Sequence, residues 1–342
     1  MAAAGQRHRI RPFVVVYDSK EGYFVYRLNL KHLFTGDGDD DEEFPPQPRC
    51  FPRPVARFRR TETYQSLAFA AYGTNIIVSA SSERGTMFHN VDSETATSGP
   101  DMHGVKCRPV LLPVGDDMFF VMSGHTWWHD HPGTHYEALT RTAPPAGAAT
   151  GRGWAWRALR EPPVLTGPRR ATCCEVTAYF VAGARVWISL QNQGTFSFDT
   201  VRRWWRREGA WQLPVRGRAI LVPDIGGRQL LFGFCSTARR FCACDIEARP
   251  PAILQVWEEA CPVEWCKRTG YMMLYKPVEL AYFGGGRFCM SRHIVVERGN
   301  ETKPSKLALS LMAVEVTREL QLLKRKIGCY LMSPSAELGY LL

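Results

Sequence analysis

A short histidine-rich segment holds the residue types best suited to chemistry. Four histidines lie within the eleven residues HTWWHDHPGTH: His125, His129, His131 and His135. Imidazoles beside a carboxylate such as Asp130 can bind zinc or copper. We favour a different interpretation, a mobile insertion at a hairpin tip in which Pro132 and Gly133 form the turn. We therefore predict no bound metal and no cofactor, and the four histidines remain candidate ligands for the alternative, a metal-binding enzyme.

The same segment contains two adjacent tryptophans that can act as exposed anchors for a partner. Its binding candidates are the following residues: Trp127, Trp128, His129 and His131. Three other tryptophans alternate within strand-like patterns and are predicted to lie in the core: Trp154, Trp156 and Trp187.

Common catalytic motifs are absent from the chain. The sequence contains no GxSxG, GxxxxGK or HExxH motif and no dinucleotide-binding fingerprint. Glu258 and Glu259 are neighbours in an extended segment, so they point to opposite faces and make poor acid–base partners. Cys242 and Cys244 share a strand face, but structural zinc usually needs a second cysteine pair. We predict that the chain is not an enzyme.

The net charge is +10, from 43 Lys plus Arg against 33 Asp plus Glu. The basic residues come in short clusters rather than in one stripe: Arg59-Arg60, Arg169-Arg170, Arg202-Arg203, Arg206-Arg207 and Arg239-Arg240. This distribution is typical of solvated strand ends and hairpin tips, so we disfavour nucleic acid as a partner. A nucleic-acid-binding module that uses Arg202 to Arg207 stays as a second alternative.

Cysteine usage and hydropathy indicate in which cellular compartment the protein is expected. The 11 cysteines are odd in number and irregular in spacing, which argues against a disulfide framework. The opening MAAAGQRHRIRPF lacks an apolar signal region, and no apolar stretch reaches the roughly 18 residues needed to span a bilayer. We expect no membrane segment and a cytoplasmic or nuclear location.

Apolar residues recur with a period close to two along most of the chain, which predicts strands. FVVVYD (13–18) and YFVYRLNL (23–30) flank a turn and form the opening hairpin. Strands are also favoured over a helix in 306–327. The acidic, proline-rich stretch 35–54 is predicted to be a disordered loop, and 140–153 an Ala/Gly/Pro-rich loop.

Two segments resemble an internal repeat: GTMFHNVDSETATSG (85–99) and GTFSFDTVRRWWRREG (194–209). They begin 109 residues apart, which suits two sheets of about 50 residues each and therefore six or seven sheets in the chain. Hairpins in series must stack to bury their faces, and a radial arrangement does so while leaving few edges exposed. We predict an all-β fold, a single β-propeller over 13–331, with a flexible N-terminus (1–12) and a C-terminal tail (332–342). A two-sheet sandwich array is the alternative.

The order of several motifs resembles a known family. These motifs are FAAYGTNIIVSAS, PVLLPVGDDMFFV, WAWRALREPPV, VTAYFVAGARVWISLQNQGTFSFDT and GGGRFCMSRHIVV. Together they resemble a large, grass-expanded group of mostly uncharacterised plant kelch-like proteins, of the F-box-associated kind, from about residue 13 to about residue 331. The resemblance implies a galactose-oxidase-type propeller of kelch-like blades and no particular reaction. Some relatives carry an F-box; we see none before Phe13, so an adaptor role in ubiquitin ligation is not directly supported.

These observations predict a non-catalytic scaffold that binds another protein, of unknown identity, through its loops. The unusual residues lie in three loops: 35–54, 125–135 and 140–153. Loops on a rigid scaffold commonly carry function.

Overall fold

Strands dominate the computed structural model, which describes residues 13–29, 34, 48–59, 66–127, 135–142, 153–166, 173–237, 239–258, 279–297 and 306–342. Pro163–Thr166 forms a short helical turn. No helix in these ranges is long and apolar enough to cross a bilayer. The predicted flexible N-terminus, 1–12, lies outside the described residues.

The strands form six four-stranded units, counted over the described ranges and numbered here in chain order. Unit 1 contains β1 (Phe13–Asp18), β2 (Gly22–Arg27), β4 (Ala56–Arg59) and β26 (Ala336–Leu341), in the order β26-β1-β2-β4. Unit 2 contains β5 (Leu67–Tyr72), β6 (Ile76–Ser81), β7 (Thr86–Asn90) and β8 (Thr95–Ser98) in sequence order. Unit 3 contains β9 (Pro109–Pro113), β10 (Met118–Ser123), β12 (Tyr136–Thr142) and β13 (Gly153–Ala158).

Units 4 and 5 belong to one nine-stranded sheet. Unit 4 contains β14 (Cys173–Ala182), β15 (Arg185–Leu190), β16 (Gly194–Asp199) and β17 (Trp204–Gly209). Unit 5 contains β18 (Val215–Ile225), β19 (Arg228–Cys235), β20 (Phe241–Asp245) and β21 (Ala252–Val256). The two are joined by a short parallel pairing of β14 with β18, and β11 (His125–Trp127) pairs with β14.

Unit 6 contains β22 (Glu279–Tyr282), β23 (Arg287–Glu297), β24 (Lys306–Val316) and β25 (Leu322–Leu331), with β3 (Arg49–Cys50) added in parallel to β25. The opening hairpin, β1 with β2, and the strands predicted within 306–327, β24 and β25, are confirmed.

Three loop and tail predictions are modified by the strands. The predicted tail 332–342 contains β26, which pairs with β1 over Val14 to Asp18 because its apolar residues complete the unit 1 core. Within the predicted loop 35–54, Arg49 and Cys50 form β3, and 35–47 lies outside the described residues. Residues 140–142 extend β12 and Gly153 begins β13, so the described ends of the predicted 140–153 loop are strand, whereas 143–152 is not described.

Each unit is apolar on both faces, and the core is divided among the contacts between units. In the described part of the chain, six hydrophobic clusters each join two units: 1 with 2, 2 with 3, 3 with 4, 4 with 5, 5 with 6, and 6 with 1. The strand β16 (GTFSFD) is buried at every position, as expected for a strand covered on both faces. All-β architecture is therefore confirmed.

The two repeated segments occupy equivalent strands of units 2 and 4. Asp199 accepts hydrogen bonds from the amides of Val201 and Arg202 at the β16–β17 turn. In the first copy Asn90 performs this role, accepting from the amides of Asp92 and Ser93. Counted from the shared Gly-Thr, Asn90 is the position that corresponds to Asp199, and an amide oxygen closes the turn as a carboxylate does.

Most of the tryptophans fill contacts between units. Trp156 is 5% exposed and Trp187 8%, which confirms the core prediction for both, and Trp154 packs partly buried against the unit 2–3 cluster. Trp205 is buried between units 3 and 4, whereas its neighbour Trp204 is exposed. The alternation of strand side chains explains this difference.

Candidate functional site

The connection from β8 to β9, residues 99–108, lies on one face of the molecule, which we call the upper face. Because successive antiparallel strands reverse direction, the β6–β7, β10–β12 and β13–β14 connections lie at the same strand ends. Turns such as β7–β8 and β16–β17 lie at the opposite ends, on the lower face. The ends of the histidine-rich segment, His125 and His135, are therefore on the upper face too.

Alternate residues of this connection point inward although it is not a strand. Met102, Gly104 and Lys106 are buried, whereas His103 and Val105 between them are exposed. Met102 packs in the hydrophobic cluster between units 2 and 3. A connection with this pattern presents its outward residues on a fixed base.

The base is a buried network centred on Glu137 of β12. The Nζ atom of Lys106 donates to Glu137 Oε1 at 2.6 Å and to the carbonyl of Gly104 at 2.8 Å. The amides of His103 and Gly104 donate to Oε2 and Oε1, at 3.0 and 3.1 Å. Both charged side chains are 0% exposed. We call His103, Gly104, Lys106 and Glu137 the Glu137 clamp.

Opposing effects set the proton affinities in the Glu137 clamp. Burial by itself raises the pKa of Glu137, but the hydrogen bonds from Lys106 and from His103 outweigh it and hold the pKa below its ordinary value. Burial lowers the pKa of Lys106, and the attraction of Glu137 opposes that shift. Each charge is therefore tolerated in the interior only because the other is present.

The imidazole of His103 is the exposed part of the Glu137 clamp. Its Nδ1 atom lies 2.6 Å from Glu137 Oε2, and the side chain is 54% exposed. An imidazole oriented by a carboxylate can serve as a base, a metal ligand or a fixed hydrogen-bonding group. Across the described ranges, no group of three or more His, Cys, Asp or Glu side chains is placed to hold a metal ion.

The predicted histidine site is described only at its ends. His125 begins β11 and pairs in register with Glu175 of β14. His135 is buried, with Nδ1 3.4 Å from Ser123 Oγ and Nε2 3.9 Å from Glu161 Oε1. Trp127 ends β11. The remaining candidates lie outside the described residues: Trp128, His129 and His131.

Sequence reasoning missed the Glu137 clamp. A signal was available, because Lys106 and Glu137 each have non-polar or weakly polar residues as direct neighbours (GVKC and YEAL). A charge at an inward position requires a partner. The sequence does not identify that partner, which lies 31 residues away.

Two of the basic clusters that raised the question of nucleic acid are on the surface of the described chain. Arg202 and Arg203 lie in the β16–β17 turn of the lower face, and Arg206 and Arg207 are exposed on the outer strand β17 beside Trp204. The Arg202-Arg203 pair therefore lies at a hairpin tip, as predicted, whereas Arg206 and Arg207 lie in the middle of a strand.

Comparisons with known proteins relate the chain to one protein family. Among curated proteins, none matches it in sequence. The solved structures similar to it include the β-propeller domain of Cps50 (Swd1) from Myceliophteria thermophila, which is 10% identical, with a TM-score of 0.44 over 92% of this chain and 82% of that one. They also include apo AztD from Citrobacter koseri, which is 9% identical, with a TM-score of 0.42 over 97% of each chain. The family described as protein of unknown function (DUF1668) matches residues 11–330. Because this match spans most of the sequence, the chain belongs to the DUF1668 family.

Proposed function

We propose that the six units are the blades of a single closed β-propeller. Six blades is the lower of the two numbers expected from the repeat length. The support is the sequence of contacts between units, in which each cluster joins one unit to the next and the last joins unit 6 to unit 1. Such an arrangement covers both faces of every sheet and leaves few exposed edges.

The join between the chain ends supports closure. Asp18, at the end of β1, accepts hydrogen bonds from the hydroxyls of Ser333 and Ser335, just before β26. It also accepts from the amides of Lys20 and Glu21. Burial raises the pKa of Asp18, but these hydrogen bonds outweigh it and lower the pKa overall. One carboxylate therefore ties the first hairpin to the last strand.

This propeller acts, we propose, as a non-catalytic scaffold that binds another protein through its upper face. The observation that carries the proposal is the Glu137 clamp, which holds the 99–108 connection rigid while His103, Val105 and Arg108 point outward. Val105 is 41% exposed and lies between the exposed polar residues His103 and Arg108 along the connection. A rigid apolar group within a polar rim is typical of a protein contact, since little side-chain entropy is lost on binding.

Further features of the proposal come from the sequence. We place the protein in the cytoplasm or nucleus, with no cofactor and no membrane partner, and its affiliation with kelch-like plant proteins stays a prediction. A metal-binding enzyme that uses the segment 125–135 and a nucleic-acid-binding module remain the alternatives to a protein scaffold.

Proximity labelling with the full chain in cells that express it tests the proposal. We expect a reproducible set of labelled proteins that is lost in a Val105→Asp, Arg108→Glu double variant. The matched control is Val201→Asp, which places the same charge at a 77% exposed valine on the lower face. Each variant is first shown to keep the wild-type melting temperature.

If the labelled proteins are lost equally in both variants, or are retained in both, the result contradicts an upper-face contact. A set that disappears only in the upper-face variant is then confirmed with one purified partner, whose dissociation constant is measured for all three proteins. Labelling with no reproducible partner contradicts the scaffold function itself.

A further inference from the structure

The outer strands of the units differ in how well they are protected against pairing with another chain. An edge strand presents backbone groups that can accept a further strand, and charged side chains usually prevent this. β4 (ARFR), β13 (GWAWRA), β17 (WWRREG) and β25 (LLKRKIGCYL) each contain at least one arginine. β8 (TATS) has no charge, but its side chains are small. β21 of unit 5 (AILQV) has no charge and three large aliphatic residues.

β21 is exposed along its whole length. Ile253, Leu254 and Val256 are 40%, 39% and 37% exposed, and the strand lies between the buried residues Pro251 and Trp257. In the described part of the chain, β21 ends its sheet and pairs on one side only, with β20. The strand therefore combines an apolar surface with an open edge.

Backbone groups at this edge point away from the sheet. The amide of Trp257 donates to the carbonyl of Phe241, the first residue of β20. Since the backbone groups of an antiparallel strand alternate between its two sides, those of Val256 point away from β20. The carbonyl of Val256 accepts from the side chain of Gln255 at 3.2 Å. An extended chain that lies along β21 can pair with such groups as an added strand.

Charges at the two ends of β21 favour a second copy of this chain as the added strand. Arg249 precedes the strand, Glu258 follows it, and both are exposed. Glu258 keeps 88% of its side chain exposed although Arg240 pairs with it. When two copies pair antiparallel about a two-fold axis, the start of one strand lies beside the end of the other. Arg249 of each copy is then near Glu258 of the other, so both ends of the contact are attractive.

We propose that β21 is a self-association edge, at which two copies of this chain pair antiparallel and join their unit 5 sheets. The side chains of Ile253, Leu254 and Val256 from both copies cover one another, which removes apolar surface from water. The contact uses the same surface on both copies, so it closes as a dimer. It does not depend on the proposed protein contact, because it uses none of the upper-face residues.

Sedimentation velocity of the full chain over a dilution series tests the proposal. We expect a reversible shift from 38.7 kDa towards twice that mass as the concentration rises. Leu254→Lys gives β21 the kind of charge that other outer strands carry. It should raise the dissociation constant of the dimer by about tenfold or more, because it brings two ammonium groups into the contact. The matched control is Leu323→Lys on β25, where the leucine is 41% exposed; it should leave the constant unchanged.

Amide hydrogen exchange locates the contact without any variant. The amide of Val256 should exchange more slowly in concentrated than in dilute protein, because it points at the second copy. The amide of Trp257 already donates to Phe241 and should show no such dependence on concentration. This comparison decides the question if Leu254→Lys does not fold.

Two results overturn the proposal. The first is a single species of 38.7 kDa at every concentration up to the solubility limit. The second is a dimer that Leu254→Lys and Leu323→Lys weaken equally, or whose formation leaves exchange at Val256 unchanged. Neither result bears on the protein contact at the upper face.

Discussion

Replacing Lys106 with methionine leaves the carboxylate of Glu137 buried without its cation. Both side chains are 0% exposed and their charged atoms are 2.6 Å apart, so water cannot substitute for the lost partner. Removing one member of such a buried pair costs about 3–5 kcal/mol of unfolding free energy. Because small domains have about 5–15 kcal/mol in total, the variant should unfold at markedly lower urea concentration.

A double-mutant cycle measures the coupling directly. Lys106→Met, Glu137→Gln and the combined variant are compared by urea unfolding, followed by circular dichroism. We expect the combined variant to lose clearly less stability than the sum of the single losses, because it leaves no unpaired charge. Amide hydrogen exchange should be faster at Gly104 in Lys106→Met, since the connection loses its anchor.

The exposed ion pair of Arg240 with Glu258 provides the control. Its side chains are 50% and 88% exposed, so Arg240→Met should leave stability nearly unchanged. The reasoning is refuted if Lys106→Met costs no more than Arg240→Met, or if the losses from Lys106→Met and Glu137→Gln simply add.

Three further predictions concern closure, metal and nucleic acid. Asp18→Asn should cost about 1–3 kcal/mol at neutral pH, because it weakens the hydrogen bonds that join β1 to the turn before β26. Folding lowers the pKa of Asp18, so its carboxylate stabilises the fold at pH values above its ordinary pKa of 3.8. This stabilisation is lost as the pH falls through the pKa of the folded state. The difference in urea midpoint between wild type and variant should therefore shrink in acid. Elemental analysis of the purified protein should find no stoichiometric zinc or copper, and a metal that disappears in His129→Ala, His131→Ala would instead support the enzyme alternative. Fluorescence anisotropy with labelled DNA and RNA should show no tight binding at physiological salt, whereas affinity that falls steeply with salt and is lost in Arg206→Glu, Arg207→Glu would support the nucleic-acid alternative.

Local pattern was enough to predict the strands and much of the core. Side chains alternate along a strand, so the period-two runs around Trp156 and Trp187 identify inward residues without knowledge of neighbours. The repeat spacing likewise predicts six or seven sheets. These features depend on residues that are close in sequence.

The candidate sites depend on residues that are far apart in sequence. Lys106 and Glu137 are 31 residues apart, and Asp18 meets Ser335 across 317. No local pattern encodes which charge an inward lysine will meet. The histidine-rich segment stood out for the opposite reason, because its residues are adjacent, and most of it lies outside the described residues.

Composition and periodicity thus predicted, without any coordinates, that this chain is all-β and that Trp156 and Trp187 are buried. Only the tertiary structure decided that β26 returns to β1 and that Glu137 supports the upper-face connection. The physical reason is that secondary structure follows from the chemistry of neighbouring residues. The polar sites of this chain are assembled from residues that are distant in sequence, and the packing of the units decides which residues meet.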